Sequence, residues 1–243
     1  MKRLTVSIDE VATLRYVLHD SDIDPVQYAM LCEVAGAHGI SLTLADTQKG
    51  IQERDAQLIK RLHKTFLNIR IPPDSQFVKT ALSINPDMVT FVDVGKNDPV
   101  RISPLPSTTV METLPDFLSD FQANNISVAV YSYPEINSLK QLNRIKIDYV
   151  DFDCSEITSA SDSNEELVGF DKLSSATIAA AKLGMGVNCS GGIDYPYLPD
   201  LAMIPRLEDI CMGTTLLKRA LLVGIDRAIR EAIEQILFHQ RGI

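Results

Sequence analysis

Histidine is scarce in this chain: His19, His38, His63 and His239 are the only four among 243 residues. Chemistry that moves several protons near neutral pH leans on imidazole, so a site run by many histidines is excluded. Tryptophan is absent. The cysteines Cys32, Cys154, Cys189 and Cys211 form no CxxC pair and no zinc-ligand spacing; no metal site is expected, only reduced, buried thiols. No apolar run approaches the roughly 18 residues that a membrane span needs. The opening MKRLTVSIDEVATLR carries Asp9 and Glu10 where a secretory leader would need an apolar core. Cytoplasm is therefore the expected location, with no membrane partner. Basic residues are outnumbered, 23 Lys and Arg against 32 Asp and Glu, for a net charge of −9. No basic stripe marks a nucleic-acid surface. No G-x-G-x-x-G follows the first strand, which argues against an open dinucleotide-binding sheet.

What is present is alternation. The length suits one barrel-type α/β domain of roughly 250 residues. Short β-rich runs are predicted at Leu4–Ile8, Ser41–Leu44, Phe66–Arg70, Met88–Val92, Ser127–Ser132, Tyr149–Asp153, Gly186–Cys189 and Asp209–Met212, with helical periodicity between them. The pattern predicts an α/β fold, a (β/α)8 TIM barrel with extra helices, as one domain over 1–243. Asp24-Pro25 marks a helix start, a cap followed by the residue best suited to the first helical position; that helix is expected to run to Ala37. Asp74 caps another that ends before Asn85-Pro86. Thr214–Phe238 reads as one long amphipathic closing helix whose basic residues include Lys218, Arg227 and Arg230, with Arg241 beyond it. Two long loops, Asp93–Thr109 and Ser155–Glu166, follow strands and belong at the C-terminal mouth, where barrels place their sites. The second, rich in Ser, Asp and Glu, is expected to be a solvated excursion.

Ser190-Gly191-Gly192 ends the seventh strand and Gly213-Thr214 the eighth. Barrels commonly bind phosphate with these two loops, using backbone N–H groups and a helix N-terminus. Gly191, Gly192 and Gly213 let the backbone approach an anion, and Thr214 can cap the last helix or donate its hydroxyl. The alternative is that the glycines only make tight turns.

The chain resembles pyridoxine 5′-phosphate synthase along almost its whole length. The resemblance is carried by Ile8-Asp9-Glu10-Val11-Ala12-Thr13-Leu14-Arg15, Asp24-Pro25-Val26-Gln27, Ala35-Gly36, Gly39-Ile40 and Ile51-Gln52-Glu53-Arg54-Asp55. It continues through Leu67-Asn68, Gly186-Val187-Asn188, Gly192, Tyr195, Gly213, Arg219-Ala220 and Val223-Gly224, in collinear order. The resemblance implies a barrel with extra helices, assembled as a homo-oligomer. It implies a condensation of 1-deoxy-D-xylulose 5-phosphate with 3-amino-2-oxopropyl phosphate in pyridoxine biosynthesis, with no metal or organic cofactor.

The departures fall on the acid–base residues. The family's N-I-D-H becomes Ser7-Ile8-Asp9-Glu10, and a substrate-binding Arg aligns with Leu18. H-L-R-E-D-R-R-H-I becomes Thr43-Leu44-Ala45-Asp46-Thr47-Gln48-Lys49-Gly50-Ile51, without either His or the phosphate-binding Arg. L-N-L-E-M becomes Leu67-Asn68-Ile69-Arg70-Ile71, a base turned into a cation. E-x-H-T-G becomes Asp151-Phe152-Asp153-Cys154-Ser155, G-H-G becomes Ser190-Gly191-Gly192, and G-H becomes Gly213-Thr214. Each lost acid–base group costs about 10²–10⁴ in rate, so loss of the set argues against the family reaction. Of the four histidines only His19, in the loop after the first strand, is expected to be able to approach the mouth. The mouth is expected to hold Asp9, Glu10, Asp46, Arg70, Asp93, Asp151 and Asp153. Glu10, Arg70, Asp151 and Asp153 are the candidates for a rebuilt catalytic centre, and Asp9, Ser190, Gly191, Gly192, Gly213 and Thr214 for holding a phosphorylated small molecule. Arg70 is expected to pair with Asp151 or Glu10; the alternative is that it clamps a substrate carboxylate or phosphate. Three readings follow: a binding or regulatory barrel that has lost the reaction, an enzyme with altered chemistry on a phosphorylated substrate, and a working synthase with substitute residues.

Overall fold

The computed structural model describes residues 1–95 and 98–240. Eight parallel strands close on themselves: β1 (Arg3–Ser7), β2 (Gly39–Thr43), β3 (Phe66–Ile71), β4 (Met88–Phe91), β7 (Ser127–Ser132), β8 (Tyr149–Asp153), β9 (Gly186–Ser190) and β10 (Asp209–Met212). Each pairs with its sequence neighbour in the barrel, and β1 pairs with both β2 and β10. These are the eight strands that alternation predicts: three keep the expected bounds, and the other five differ at one or both ends by one or two residues. The exception to the simple repeat is an antiparallel hairpin, β5 (Asp93–Gly95) with β6 (Asp98–Ser103), inserted after β4.

Twelve helices surround the strands. In chain order they are α1 (Asp9–Leu18), α2 (Pro25–Ala35), α3 (Glu53–Leu62), α4 (Ser75–Ile84), α5 (Ser107–Glu112), α6 (Pro115–Ala123), α7 (Ile136–Arg144), α8 (Ser155–Thr158), α9 (Ser163–Lys182), α10 (Leu198–Met203), α11 (Thr214–Val223) and α12 (Ile225–Gln240). The expected caps form. The Asp24 carboxylate accepts from the Val26 N–H with Pro25 at the first helical position, and that of Asp74 accepts from the Gln76 N–H. α2 stops two residues early because Gly36 takes a left-handed conformation and caps it.

Three expectations are corrected. The stretch Asp93–Thr109 is not a plain loop, since it holds the β5–β6 hairpin and the start of α5; Lys96 and Asn97 within it lie outside the described residues. Ser155–Glu166 is solvent-exposed over most of its length, as expected, but it is not a plain loop: α8 opens it, and the Asp162 carboxylate caps α9 through the N–H groups of Asn164 and Glu165. Thr214–Phe238 is two helices, broken at Gly224; Arg241 lies outside the described residues.

Strand side chains alternate, and here the alternation separates two cores. Outward positions such as Leu4, Val6, Leu42, Ile69, Phe91, Val130, Phe152 and Val187 are buried against the helices and form the apolar layer. Inward positions are polar. Thr5, Ser41, Thr43, Asn68, Arg70, Asp151 and Ser190 are all buried in the lumen. Two contacts between strands that are not neighbours cross it: Arg70 on β3 to Cys211 on β10, and Asn188 on β9 to Met88 on β4.

Candidate functional site

The C-terminal end of the lumen opens into a cavity of about 430 Å³. Its floor is made by the last inward side chains of the strands. Its walls are the Ser190–Ile193 turn, the start of α11, α8 and the β6 strand.

The turn after β9 needs glycine. Gly191 has φ +102, and a Cβ there would stand 2.4 Å from Asp153 Oδ1, closer than any real contact. The backbone is thus pressed against the Asp153 carboxylate. That carboxylate accepts three hydrogen bonds: from the Tyr131 hydroxyl at 2.7 Å and the Ser155 N–H at 3.0 Å on Oδ1, and from the Ser155 hydroxyl at 2.6 Å on Oδ2. These bonds fix the carboxylate's orientation in the wall. The Thr158 hydroxyl ties α8 to the same turn by donating to the Gly191 carbonyl at 3.2 Å.

α11 begins at the cavity. Thr214 and Thr215 line it, and no side chain caps the helix. Its first N–H groups and the positive end of its dipole therefore face the space. Glu10, from the first turn of α1, reaches the same place. Its Oε1 accepts from the Thr214 hydroxyl at 2.6 Å, while Oε2 is buried with no partner. Burial, then the nearby Asp9 carboxylate, pushes the Glu10 carboxyl above its ordinary range.

Arg70 rises from β3 into the floor and is 5% exposed. Its one hydrogen bond among the described residues runs from Nη2 to Cys211 Sγ at 3.0 Å, and Nε is buried without a partner. The expected ion pair with Asp151 or Glu10 is not formed: among the described residues no carboxylate oxygen lies within 4.0 Å of the guanidinium. The reason is that the carboxylates have other partners. Asp151 takes the Ser190 hydroxyl at 3.0 Å on both oxygens. Asp9 takes the Thr43 N–H at 2.7 Å, the Thr43 hydroxyl at 2.8 Å and the Ser7 hydroxyl at 3.2 Å. Burial pushes Asp151 up to about 6 against the opposing pull of Arg70, and raises Asp9 likewise.

Of the residues picked from sequence, Glu10, Arg70, Asp153, Ser190, Gly191, Gly192, Gly213 and Thr214 meet at the cavity. Asp9 and Asp151 do not line it; they sit buried beside it. Asp46 and Asp93 are exposed and stand outside it, as does His19, whose left-handed backbone ends α1 in solvent with its ring tilted against Tyr16. His38 accepts from the Leu4 N–H and His63 lies 2.8 Å from Glu33, both on the helix side. Sequence reasoning missed Arg101, Tyr131, Tyr133 and Cys211 in the lining. The alternation Val100-Arg101-Ile102-Ser103 was the available signal for the strand that brings Arg101 over the mouth. Tyr131 and Cys211 were available as inward positions of strands already identified.

The family model of pyridoxal phosphate biosynthesis protein PdxJ matches residues 4–237. The chain belongs to the PdxJ family. Its PdxJ-family relatives include the pyridoxine 5′-phosphate synthase of Geobacter metallireducens, 31% identical over 98% of this chain and 100% of the relative. That of Geobacter sp. is 32% identical over the same shares. Among solved structures, KGPDC from Streptococcus mutans superposes with a TM-score of 0.65 at 12% identity, covering 98% of each chain. The 3-hexulose-6-phosphate synthase of Salmonella typhimurium gives 0.63 at 13% identity, covering 98% of this chain and 99% of that one. These structural likenesses support the barrel and nothing finer. Within the PdxJ frame, the cavity stands at the mouth where the departures from the family motifs cluster.

Proposed function

We propose that this PdxJ-family barrel binds a phosphorylated small molecule at the start of α11 and the Ser190–Gly192 turn, and does not perform the pyridoxine 5′-phosphate condensation. The carrying observation is the uncapped first turn of α11, opening on the cavity with Thr214 and Thr215 beside it. Such a terminus is an anion site by construction. Against the condensation stands the chemistry of the lining, which among the described residues contains no histidine. Asp153 is held by three hydrogen bonds, and Arg70 cannot release a proton near neutral pH. The chain acts in the cytoplasm as a homo-oligomer and a single domain, without metal or organic cofactor; among the described residues no helix is long and apolar enough to cross a membrane.

The test has two arms. Incubation with 1-deoxy-D-xylulose 5-phosphate and 3-amino-2-oxopropyl phosphate, followed by chromatography, is expected to yield no pyridoxine 5′-phosphate; its formation refutes the proposal. Calorimetric titration with glycerol 3-phosphate is expected to show saturable binding that a Thr215→Pro change, which removes a first-turn N–H, weakens.

Glu10 supports a second reading, altered chemistry on such a ligand. It is the one cavity carboxylate with an unpartnered oxygen and a raised pKa, the profile of a group able to hold or give a proton. Turnover of a phosphorylated compound that Glu10→Gln abolishes, with binding kept, would establish it.

A further inference from the structure

We propose that Arg70 is the receptor for a carboxylate, so that the ligand of this cavity is a short phosphorylated carboxylic acid, held by its phosphate at α11 and by its carboxylate on the lumen floor. The inference rests on the phosphate reading above for one end of the ligand only.

A guanidinium carries five N–H donors, and nearly every buried donor in a folded protein finds an acceptor. Arg70 is buried, lines the cavity, and spends one hydrogen on a thiol, a weak acceptor. Nε has no partner. The two carboxylates nearest in charge, Asp151 and Asp9, are turned to Ser190, Thr43 and Ser7 and stand beyond 4.0 Å. A buried cation in this condition costs stability unless an anion completes it. Water offers no net charge; an anion from the cavity does.

The geometry selects the anion. Nη1 makes no hydrogen bond among the described residues, and Nη2 has a second hydrogen left after Cys211. Together they present one flat edge of the fork, which matches a planar carboxylate. A second phosphate would bring a dianion close to Asp151 and Asp9, where a monoanion is repelled less. The spacing fits a short chain. Arg70 touches Cys211, and Gly213, the residue before α11, lies two strand residues further, roughly 7 Å at about 3.3 Å per residue. Arg101, over the mouth, adds a second guanidinium to a lining that also holds Tyr131 and the Glu10 and Asp153 carboxylates.

The two ends can be tested apart. Glycerol 3-phosphate and 3-phosphoglycerate differ by a hydroxymethyl group against a carboxylate. Calorimetry on the full chain is expected to show 3-phosphoglycerate bound about 10- to 100-fold more tightly, the worth of a charged hydrogen-bond pair. Arg70→Met is expected to remove that preference and leave glycerol 3-phosphate binding in place. Equal affinity of the unaltered protein for the two probes overturns the assignment while leaving the phosphate reading intact, and needs no variant that must fold. If neither phosphorylated probe binds but malonate raises the melting temperature of the unaltered protein and not of Arg70→Lys, the phosphate reading fails and the Arg70 receptor stands. If malonate also has no effect, both fail.

Discussion

Asp151 shows what it costs to line a barrel with polar groups. It sits fully buried on β8, and burial outweighs the attraction of Arg70, so its carboxyl titrates at about 6 rather than 3.8. The folded state therefore holds this proton more tightly than the unfolded chain does. Stability from that proton is complete below about pH 4 and is lost as pH rises through about 6, because over this window the native state binds more protons than the unfolded one. The difference corresponds to about 3 kcal/mol. Asp151→Asn keeps a partner for Ser190 and removes the titration, so urea unfolding of the variant between pH 4 and 7 is expected to lose that downward slope relative to the parent. An unchanged slope would show that Asp151 is not the source. Glu10 makes an equivalent argument about ligand. Its carboxylate lies against the Thr214 hydroxyl at the proposed anion site, and when ionised it repels an incoming dianion. Because burial holds the Glu10 carboxyl above its ordinary range, sulfate, a dianion at neutral and mildly acidic pH, is expected to bind more tightly as pH falls, and Glu10→Gln to bind it more tightly than the parent at neutral pH and with less pH dependence. A pH-independent affinity in the parent would dissociate Glu10 from the site.

Among the elements, the break between α11 and α12 is the one that sequence periodicity hides. The apolar spacing runs on across Gly224, so one long helix is the natural reading, yet Gly224 adopts φ +85 and ψ 154. That region belongs almost only to glycine. A Cβ there would meet nothing within 4 Å, so the cost of Gly224→Ala is backbone strain alone, about 1–3 kcal/mol. At roughly 2–4 °C per kcal/mol for a chain of this size, melting is expected about 2–12 °C lower. Sulfate affinity is expected to hold, since the far end of α11 is about 15 Å from its first turn. A variant that melts like the parent would mean the turn relaxes to a helix. The strands and the caps at Asp24 and Asp74 were legible because period and capping chemistry are local signals. The β5–β6 hairpin and α8 were not, because both lie in stretches crowded with Pro, Ser and Asp that read as loop. Their order comes from what they pack on: Leu105 bonds to the Tyr131 carbonyl, and Ser155 and Thr158 to Asp153 and the Gly191 turn.

On the scale of the whole molecule, some residues that carry the family resemblance work away from the cavity, in contacts between helices. Arg15 pairs with Asp55 through two hydrogen bonds, 3.2 and 2.7 Å, and the Tyr195 hydroxyl donates to the Ala228 carbonyl at 2.7 Å. These retained residues hold helices α1, α3 and α12 in position, while several of the replaced ones, among them Ser7, Glu10, Arg70, Asp153, Gly191 and Thr214, line the cavity. The chemistry was thus legible as a loss, but the new partners were not, since Arg70 meeting Cys211 is a contact across the lumen between residues 141 apart. The same scaffold exposes apolar side chains on helices that pack on one another, α1 on α2, α2 on α12 and α12 on α11. Val17, Val34, Leu221 and Leu222 are 61, 77, 74 and 80% exposed. Exposed apolar surface on neighbouring elements marks an association face, and a second copy of the chain is the occupant that the homo-oligomer reading requires. Light scattering is expected to give a multiple of the 26.9 kDa chain mass. Val34→Glu with Leu222→Glu would bury unpaired charge at such a face, at a cost of several kcal/mol, yet leave the fold untouched because both positions face solvent in the single chain. The double variant is expected to scatter at 26.9 kDa with an unchanged far-UV spectrum. A parent already monomeric at micromolar concentration would end the homo-oligomer reading, and a double variant that stays assembled would move the interface to another face.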